Sequence, residues 1–507
     1  MHIGIIGAGL SGLSAALHLL GAGHRVTVVE RSPQVGGRAG TERIRGHLVD
    51  PGASVLTMPE LVFDALAAGG LDRFAAEDEL DLLPVTPAYA GRFPALDGLP
   101  PSVLHVPDDL AVDEHMRWQQ AMFDAAYERF IGGDAAWRSY ANPRDLARLG
   151  KLVRLGALRS MQHQVDRRVD DSRARRMLTF QALYAGVAPS AARAVYAVIS
   201  HMDVGLGVWY PRAGMGRVAS VMADQVRRAG GAVLLDHEVI GLDGRRGRVT
   251  GLRARSLGAG RGTSGADRTS AGVHQLPFDG VVLTADSPVT DRLLAPLGGR
   301  APRRVRLSPS AVVAHLDVDP DLQDHWPTQA HHTLDFGAAW ERTFAEITAT
   351  RGRGRLMSDP SFLVTRPSIT IGGASAASGP HETGEGSVVS VLAPCPNLES
   401  APLDWDSIGV DYVRDVLRTL SRRGYRGIDS GEILRVDTPA DWARQGMSAG
   451  TPFAAAHTLR QTGPLRRPQR VPGIANAVLA GSMTHPGVGV PPALISGRLA
   501  AEAITAR

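Results

Sequence analysis

The chain has 507 residues, 44% of them hydrophobic and 21% charged, which predicts more than one packed globular domain and excludes wholesale disorder. A net charge of +4 is small for this length, and no aromatic and basic interleaving accompanies it, so nucleic-acid binding is not expected. No run reaches about eighteen uncharged apolar residues, so no membrane-spanning helix is predicted, and a single cysteine, Cys395, rules out an intramolecular disulfide. The predicted elements begin at once. His2 to Ile6 is an apolar run suited to a buried parallel strand, and Gly7, Gly9 and Gly12 then supply G-x-G-x-x-G. Gly7 allows the tight turn, Gly9 lets the backbone approach a pyrophosphate, and Gly12 lets the following helix pack close on the strand. Leu13, Ala16, Leu17 and Leu20 fall on one face of that helix, and Gly21 and Gly23 end it. Arg25 to Val29 makes a second strand closed by Glu30, where an acid accepts hydrogen bonds from ribose hydroxyls; Arg31 follows it as a further cofactor-binding candidate. A strand at residue 2 leaves no room for a signal peptide, and with the lone cysteine this predicts a cytoplasmic chain.

Gly36, Gly37 and Arg38 come just past the acid. They resemble the second glycine pair and arginine of the large FAD-binding superfamily that holds amine oxidases and carotenoid desaturases. That resemblance implies that Arg38 and the Gly36–Gly37 backbone cover the FAD phosphates, and that the turn at Asp50, Gly52 and Ala53 passes near the flavin.

Leu61 to Leu71 reads as an amphipathic helix, and the proline-rich stretch 82–110 as short strands and turns. From Val112 to His201 the pattern is mainly helical. Within it, Leu146, Leu149, Leu152, Val153 and Ala157 are expected on one helical face, with Arg148, Lys151, Arg154 and Arg159 mostly opposite. Such a basic amphipathic helix can lie on an anionic membrane surface or simply face water. Gly207 to Gly216 breaks the helical pattern, Val218 to Arg228 resumes it, and Gly230 to Leu242 alternates like one strand. In the superfamily such a strand offers the backbone of a valine, here Val239, to the adenine edge. Val249 to Arg255 continues a hairpin, and 256–272, rich in Gly, Ser, Ala and Arg, reads as a mobile loop. Phe278 to Leu283 returns to the first sheet, and 308–400 is strand-rich. Tyr412 to Arg423 is helical. Residues 477–503 are strand, glycine-rich turn and a helix with Pro491 and Pro492 near its first turn, where proline is tolerated.

Five stretches in order are similar to the bacterial-type phytoene desaturases: DPGASVLTMP at 50–59, GVWYPRAGMG at 207–216, SFLVTRPS at 361–368, LAPCPNL at 392–398 and THPGVGVP at 484–491. AHHT at 330–333 fits the same substrate-domain pattern. Met483 and Pro492 stand where many members have glycine. The resemblance implies an α/β architecture with three parts. A discontinuous Rossmann-like FAD-binding domain takes 1–75, 205–300 and 430–507. A mixed β-sheet substrate domain takes 76–111 and 301–429. A helical, membrane-facing subdomain takes 112–204. It also implies FAD-dependent desaturation of a hydrophobic polyene, phytoene, by an enzyme held peripherally on the inner face of the cell membrane. Gly481, Gly489 and Val490 join the cofactor-binding set, the helix N-terminus facing the flavin edge near N1–C2=O. Asp145, Arg148 and His485 are the catalytic candidates, Asp145 and Arg148 also being spaced for an ordinary surface ion pair. A hydrocarbon C–H has no carbonyl to acidify it, so hydride acceptance by flavin, rather than a nucleophile or metal, suits the reaction. His331 and His332 are expected at a strand or loop edge, pointing to opposite faces. A later-step carotenoid desaturase, an amine-oxidase-like enzyme and a lipid- or prenyl-binding chaperone of the same fold stay open as alternatives.

Overall fold

The computed structural model describes every residue except 111, 134–141, 246, 258–271, 300–304, 376–386 and 507; most of the segment read as a loop at 256–272 is therefore outside the described residues. Strand β1 (His2–Ile6), helix α1 (Leu10–Gly21) and strand β2 (Arg25–Val29) form as the pattern predicts. β1 is central in a five-stranded parallel sheet, flanked on one side by Gly280–Leu283 and then Ala477–Leu479, and on the other by β2 and then Ala232–Leu234. Helices cover both faces of such a sheet, so its strands read as continuous apolar runs. The dinucleotide-binding part is thus assembled from chain segments hundreds of residues apart.

α1 departs from its predicted single apolar face. It is buried nearly all round, Ser11, Gly12 and Ser14 included, while Leu20 is only half-buried. The cause is packing on several sides: α1 meets the helices Glu60–Ala68, Gly216–Arg228 and Val490–Thr505 besides the sheet. Its contact with the last of these is close. A Cβ on Gly497 would lie 2.3 Å from the Ser11 carbonyl oxygen, and Ser14 Oγ donates to the Leu494 carbonyl at 2.8 Å.

The run expected as one strand at 230–242 splits at Asp236, whose φ is +54°. Ala232–Leu234 stays in the parallel sheet, and His237–Arg245 turns away into an antiparallel sheet with Arg248–Ser256 and Val273–Pro277. The other main body is a seven-stranded mixed sheet in the order 432–437, 310–317, 388–395, 362–365, 332–335, 89–93, 102–106. Among the described residues its only parallel pair joins 332–335 to 89–93. Glu432–Asp437, which the sequence boundary at 430 puts in the dinucleotide-binding part, is an edge strand here, paired with Ser310–Asp317. The helix Trp405–Arg422 covers one face, burying Trp405, Val413, Val416, Leu417 and Leu420 against Val312, Ala314, Val389 and Val391. Cys395 is buried in that cluster, and burial pushes its thiol pKa up, which keeps it protonated.

The described residues of 113–133 and 142–205 are mainly helical, in separate pieces. In Pro143–Arg154 the expected common face is divided: Leu152 is buried, whereas Leu146 and Val153 are 57% and 58% exposed. The buried side instead carries Asp145 and Leu152, and the Asp145 carboxylate is held there by Arg129 and by the side-chain amide of Asn142, which also caps the helix. Among the described residues no helix is long and apolar enough to cross a membrane.

Replacing Gly497 by Ala forces a methyl onto the Ser11 carbonyl, which no side-chain rotation relieves, and is expected to cost about 1–3 kcal/mol of stability. Gly150→Ala, on the exposed side of a helix with nothing within 4 Å, is expected to be neutral or to stabilise by about 0.4–1 kcal/mol. Denaturant midpoints of the two variants check this; equal midpoints contradict the packing.

Candidate cofactor and active site

The loop after β1 is built for backbone approach. Gly7 has φ of +108°, and a Cβ on Gly12 would stand 2.0 Å from the Gly7 carbonyl oxygen. Around Gly9 the space is open: the nearest atoms to a Cβ there are the Gly36 oxygen and Gly37 Cα, both at 3.9 Å. The second glycine pair docks on this loop, Gly36 N–H donating to the Ala8 carbonyl at 2.9 Å with Gly9 and Gly36 bridged side by side. Gly9 caps α1 without any side-chain hydrogen bond, and no acid sits in its first turn. The first N–H groups of α1 are therefore available to phosphate oxygens.

Each Glu30 oxygen accepts one main-chain N–H, from Ala8 and from Ser32, both at 2.8 Å. A carboxylate has about four acceptor sites, so two remain for ribose hydroxyls. His237 N–H donates to the Glu30 carbonyl, which brings Val239 to the same edge; a β-bulge between Val239 and Gly241 interrupts the pairing there. Arg38 is tied to Asp286 at 2.8 Å. Arg31 is exposed and its guanidinium donates to the Gln445 carbonyl.

Asp50 holds the next turn in a way that spacing does not reveal. Its buried carboxylate accepts from Thr41 Oγ1 (2.5 Å), Tyr210 Oη (2.7 Å) and Met215 N–H (3.1 Å), and Thr41 Oγ1 itself accepts from Gly216 N–H. Burial pushes its pKa up and these donors pull it back. The stretches 41–50 and 210–216 are thereby clamped together. Beside them, Gly52 leaves room for the Arg38 carbonyl, 2.0 Å from where its Cβ would be, and Ala53 N–H donates to that carbonyl. His331, packed on the Tyr210 ring, and His332 are fully buried with ring centroids 4.3 Å apart. This corrects the expected edge position: the strand starts only at His332, so strict alternation does not apply to the pair. Each ring bonds a threonine hydroxyl, and burial holds both well below the usual histidine range, His332 at about 3.

The C-terminal block brings its glycines to the same loop. Gly481 lies against Thr284 and Ser11, and its N–H donates to Ser496 Oγ at 3.0 Å. Gly489, with φ of +118°, precedes Val490 at the start of the last helix, again without a side-chain cap. His485 is buried, its ring nitrogen 3.1 Å from the Gly133 carbonyl. Beneath this turn lies Arg466, buried, donating to the Ser482 and Thr484 carbonyls. None of the motifs found in the sequence includes it.

Asp145 and Arg148 do meet, at 3.5 Å, but Asp145 is buried rather than on the surface and also pairs with Arg129 at 3.0 Å. Arg148 turns outward to Glu128 as well. Separately, a narrow apolar cavity of about 50 Å³, open to solvent on one side, lies between the helical turn at 180–184 and the mixed sheet. Its walls include Phe180, Leu183, Leu334, Phe336, Phe362 and Leu392. Leu392 faces the cavity while its neighbours Val391 and Ala393 pack under the Trp405–Arg422 helix, so the cavity occupies the opposite face of the sheet.

The cradle fits FAD on its own geometry. Open backbone at Gly9 and an uncapped helix N-terminus suit the pyrophosphate, Glu30 suits the ribose, and a second uncapped helix meets the same loop from the C-terminal block. The family model of flavin containing amine oxidoreductases matches residues 10–505. A phytoene dehydrogenase of Streptomyces griseus is 44% identical, the match covering 99% of this chain and 95% of that one. A zeta-carotene-forming phytoene desaturase of Myxococcus xanthus is 28% identical over 99% and 93% of the two chains. The solved structure of putrescine oxidase bound to putrescine superposes with a TM-score of 0.56 at 17% identity, covering 100% of both chains, and so shares the fold. With its glycine cradle and a full-length match to these proteins, the chain belongs to the flavin containing amine oxidoreductase family, in the branch of the phytoene dehydrogenases, and is an FAD-dependent oxidoreductase.

Proposed function

We propose that this enzyme desaturates phytoene, removing hydrogen from C–C single bonds of a long polyene in carotenoid biosynthesis. The observation that carries this reading is the 44% identity to a phytoene dehydrogenase along the whole chain, and the apolar lining against the mixed sheet agrees with it. A hydrocarbon offers no hydrogen-bonding atom, so walls of Phe and Leu gain apolar burial without stranding polar groups. FAD, when bound, supplies the two-electron acceptor for the hydride. The residues of the chain hold it: Gly7, Gly9, Gly12, Gly36 and Gly37 around the pyrophosphate with Arg38 beside them, Glu30 and Arg31 near the ribose, Val239 at the adenine, and Gly481, Gly489 and Val490 at the C-terminal block. Asp145, Arg148 and His485 are assigned as assistants to proton departure, none of them initiating. The division into an FAD-binding, a β-rich substrate and a helical part is carried over on the same basis, with 432–437 moved to the β-rich part.

The helical part is assigned to a membrane surface. Exposed Leu146, Val153 and Leu158 share a short stretch with exposed Arg144, Lys151 and Arg154, the composition of a helix lying in a lipid interface. A substrate insoluble in water would then enter from lipid, at the cytoplasmic face.

Glu30→Arg exchanges a ribose acceptor for a bulky cation and is expected to weaken FAD binding by about 1.5–3 kcal/mol; equilibrium dialysis of the flavin measures it, and unchanged retention refutes the assignment. Changing Arg144, Lys151 and Arg154 to Glu is expected to release the protein from anionic liposomes, each lost charge being worth roughly 1 kcal/mol. Sedimentation that does not change across low and high salt removes the membrane assignment. Anaerobic mixing of holoenzyme with phytoene in liposomes is expected to bleach the oxidised flavin band as desaturated product forms. Asp145→Asn and His485→Ala are expected to slow this by about 10²–10⁴-fold at most while leaving product detectable; product made without flavin overturns the mechanism.

A further inference from the structure

Arg466 is a buried cation with no carboxylate at ion-pair distance among the described residues. Among the described residues its guanidinium donates only to neutral main-chain carbonyls: Ser482 at 2.7 Å, Thr484 at 3.2 Å, and Ala455 and Gln461 at 3.4 Å. Its titratable neighbours do not neutralise it. Burial raises the Tyr196 hydroxyl to about 12, and burial together with the Arg466 charge keeps His457 well below the usual histidine range. Burial lowers Arg466 itself only to about 10, so the charge persists at neutral pH. Taking a cation from water without an anion is costly, and carbonyl dipoles offset only part of that.

The position of the charge is specific. Ser482 and Thr484 belong to the C-terminal block, and a Cβ on Gly487 would stand 3.4 Å from the centre of the guanidinium. The cation therefore lies directly under the turn that leads through Gly489 into the uncapped N-terminus of Val490–Thr505. Two sources of positive potential converge on one turn. A hydride carries two electrons and one proton, so the neutral oxidised ring that accepts it gains one net negative charge.

We propose that Arg466 is the fixed counter-charge for reduced FAD, raising the reduction potential of the bound cofactor and with it the readiness to accept hydride from a hydrocarbon. The proposal rests on the FAD reading above, and the test separates the two. Midpoint potentials are measured by anaerobic dye equilibration for the wild-type holoenzyme, Arg466→Gln and Arg466→Lys, with FAD content recorded for each. Gln keeps two donors for the carbonyls and removes the charge; Lys keeps the charge and loses the fork. The wild-type potential is expected above that of free FAD. Arg466→Gln is expected to lose at least tenfold in preference for reduced over oxidised FAD, about 30 mV for a two-electron couple, and Arg466→Lys to recover most of it. Arg466→Gln with bound FAD and an unchanged potential shows a mere tether and overturns the proposal. If that variant does not hold FAD, the wild-type value decides, and a potential at or below that of free FAD overturns it too. Wild-type protein that binds no FAD at all overturns the functional reading instead.

Discussion

The distance between α1 and β1 depends on a missing side chain. A methyl at Gly12 would sit 2.0 Å from the Gly7 carbonyl oxygen, so only glycine lets the helix start so close to the strand it follows. The same economy is repeated outward. Gly497 sets the last helix on α1, Gly36 and Gly37 lie on Gly9, and Gly52 lies on the Arg38 carbonyl. Segments near residue 10, near residue 37, at residue 52 and at the C-terminal helix are thus joined by successive main-chain contacts. A cofactor held there is gripped by N–H groups whose positions follow from packing and not from rotamers, which preorganises them at no further entropic cost.

Around that cradle the chain places few charges, each fixed by its surroundings. Asp50 joins the stretch after the second glycine pair to the Tyr210–Gly216 stretch by accepting three hydrogen bonds in a buried position. Asp145 is buried and held by Arg129 and Arg148. Arg466 donates to main-chain carbonyls. The cavity itself is walled mainly by Phe and Leu. Charge at the margin and hydrocarbon in the cavity suit chemistry in which the cofactor does the demanding step and the protein keeps an uncharged substrate away from water.

The sequence alone determined the βαβ unit, its glycines and acid, and the order of returning segments. Those signals are local: a turn needs glycine within a few residues, and a buried strand shows as a short apolar run. The family could be named for the same reason, from stretches that each keep their own local pattern. Whatever depends on which surfaces meet was decided only by the tertiary structure. α1 reads as one-faced but is buried all round because three helices from elsewhere pack on it. Leu152 goes in while Leu146 and Val153 stay out, on a helix whose buried side also carries Asp145, paired with Arg129 from the preceding helical stretch. His331 and His332 are buried together although alternation places them apart, since the strand begins between them. Arg466 and Arg467 are neighbours in the chain, yet one is buried under Gly487 and the other pairs with Asp291. Burial and charge pairing are sums over neighbours distant in the chain, and for that physical reason no window of sequence contains them.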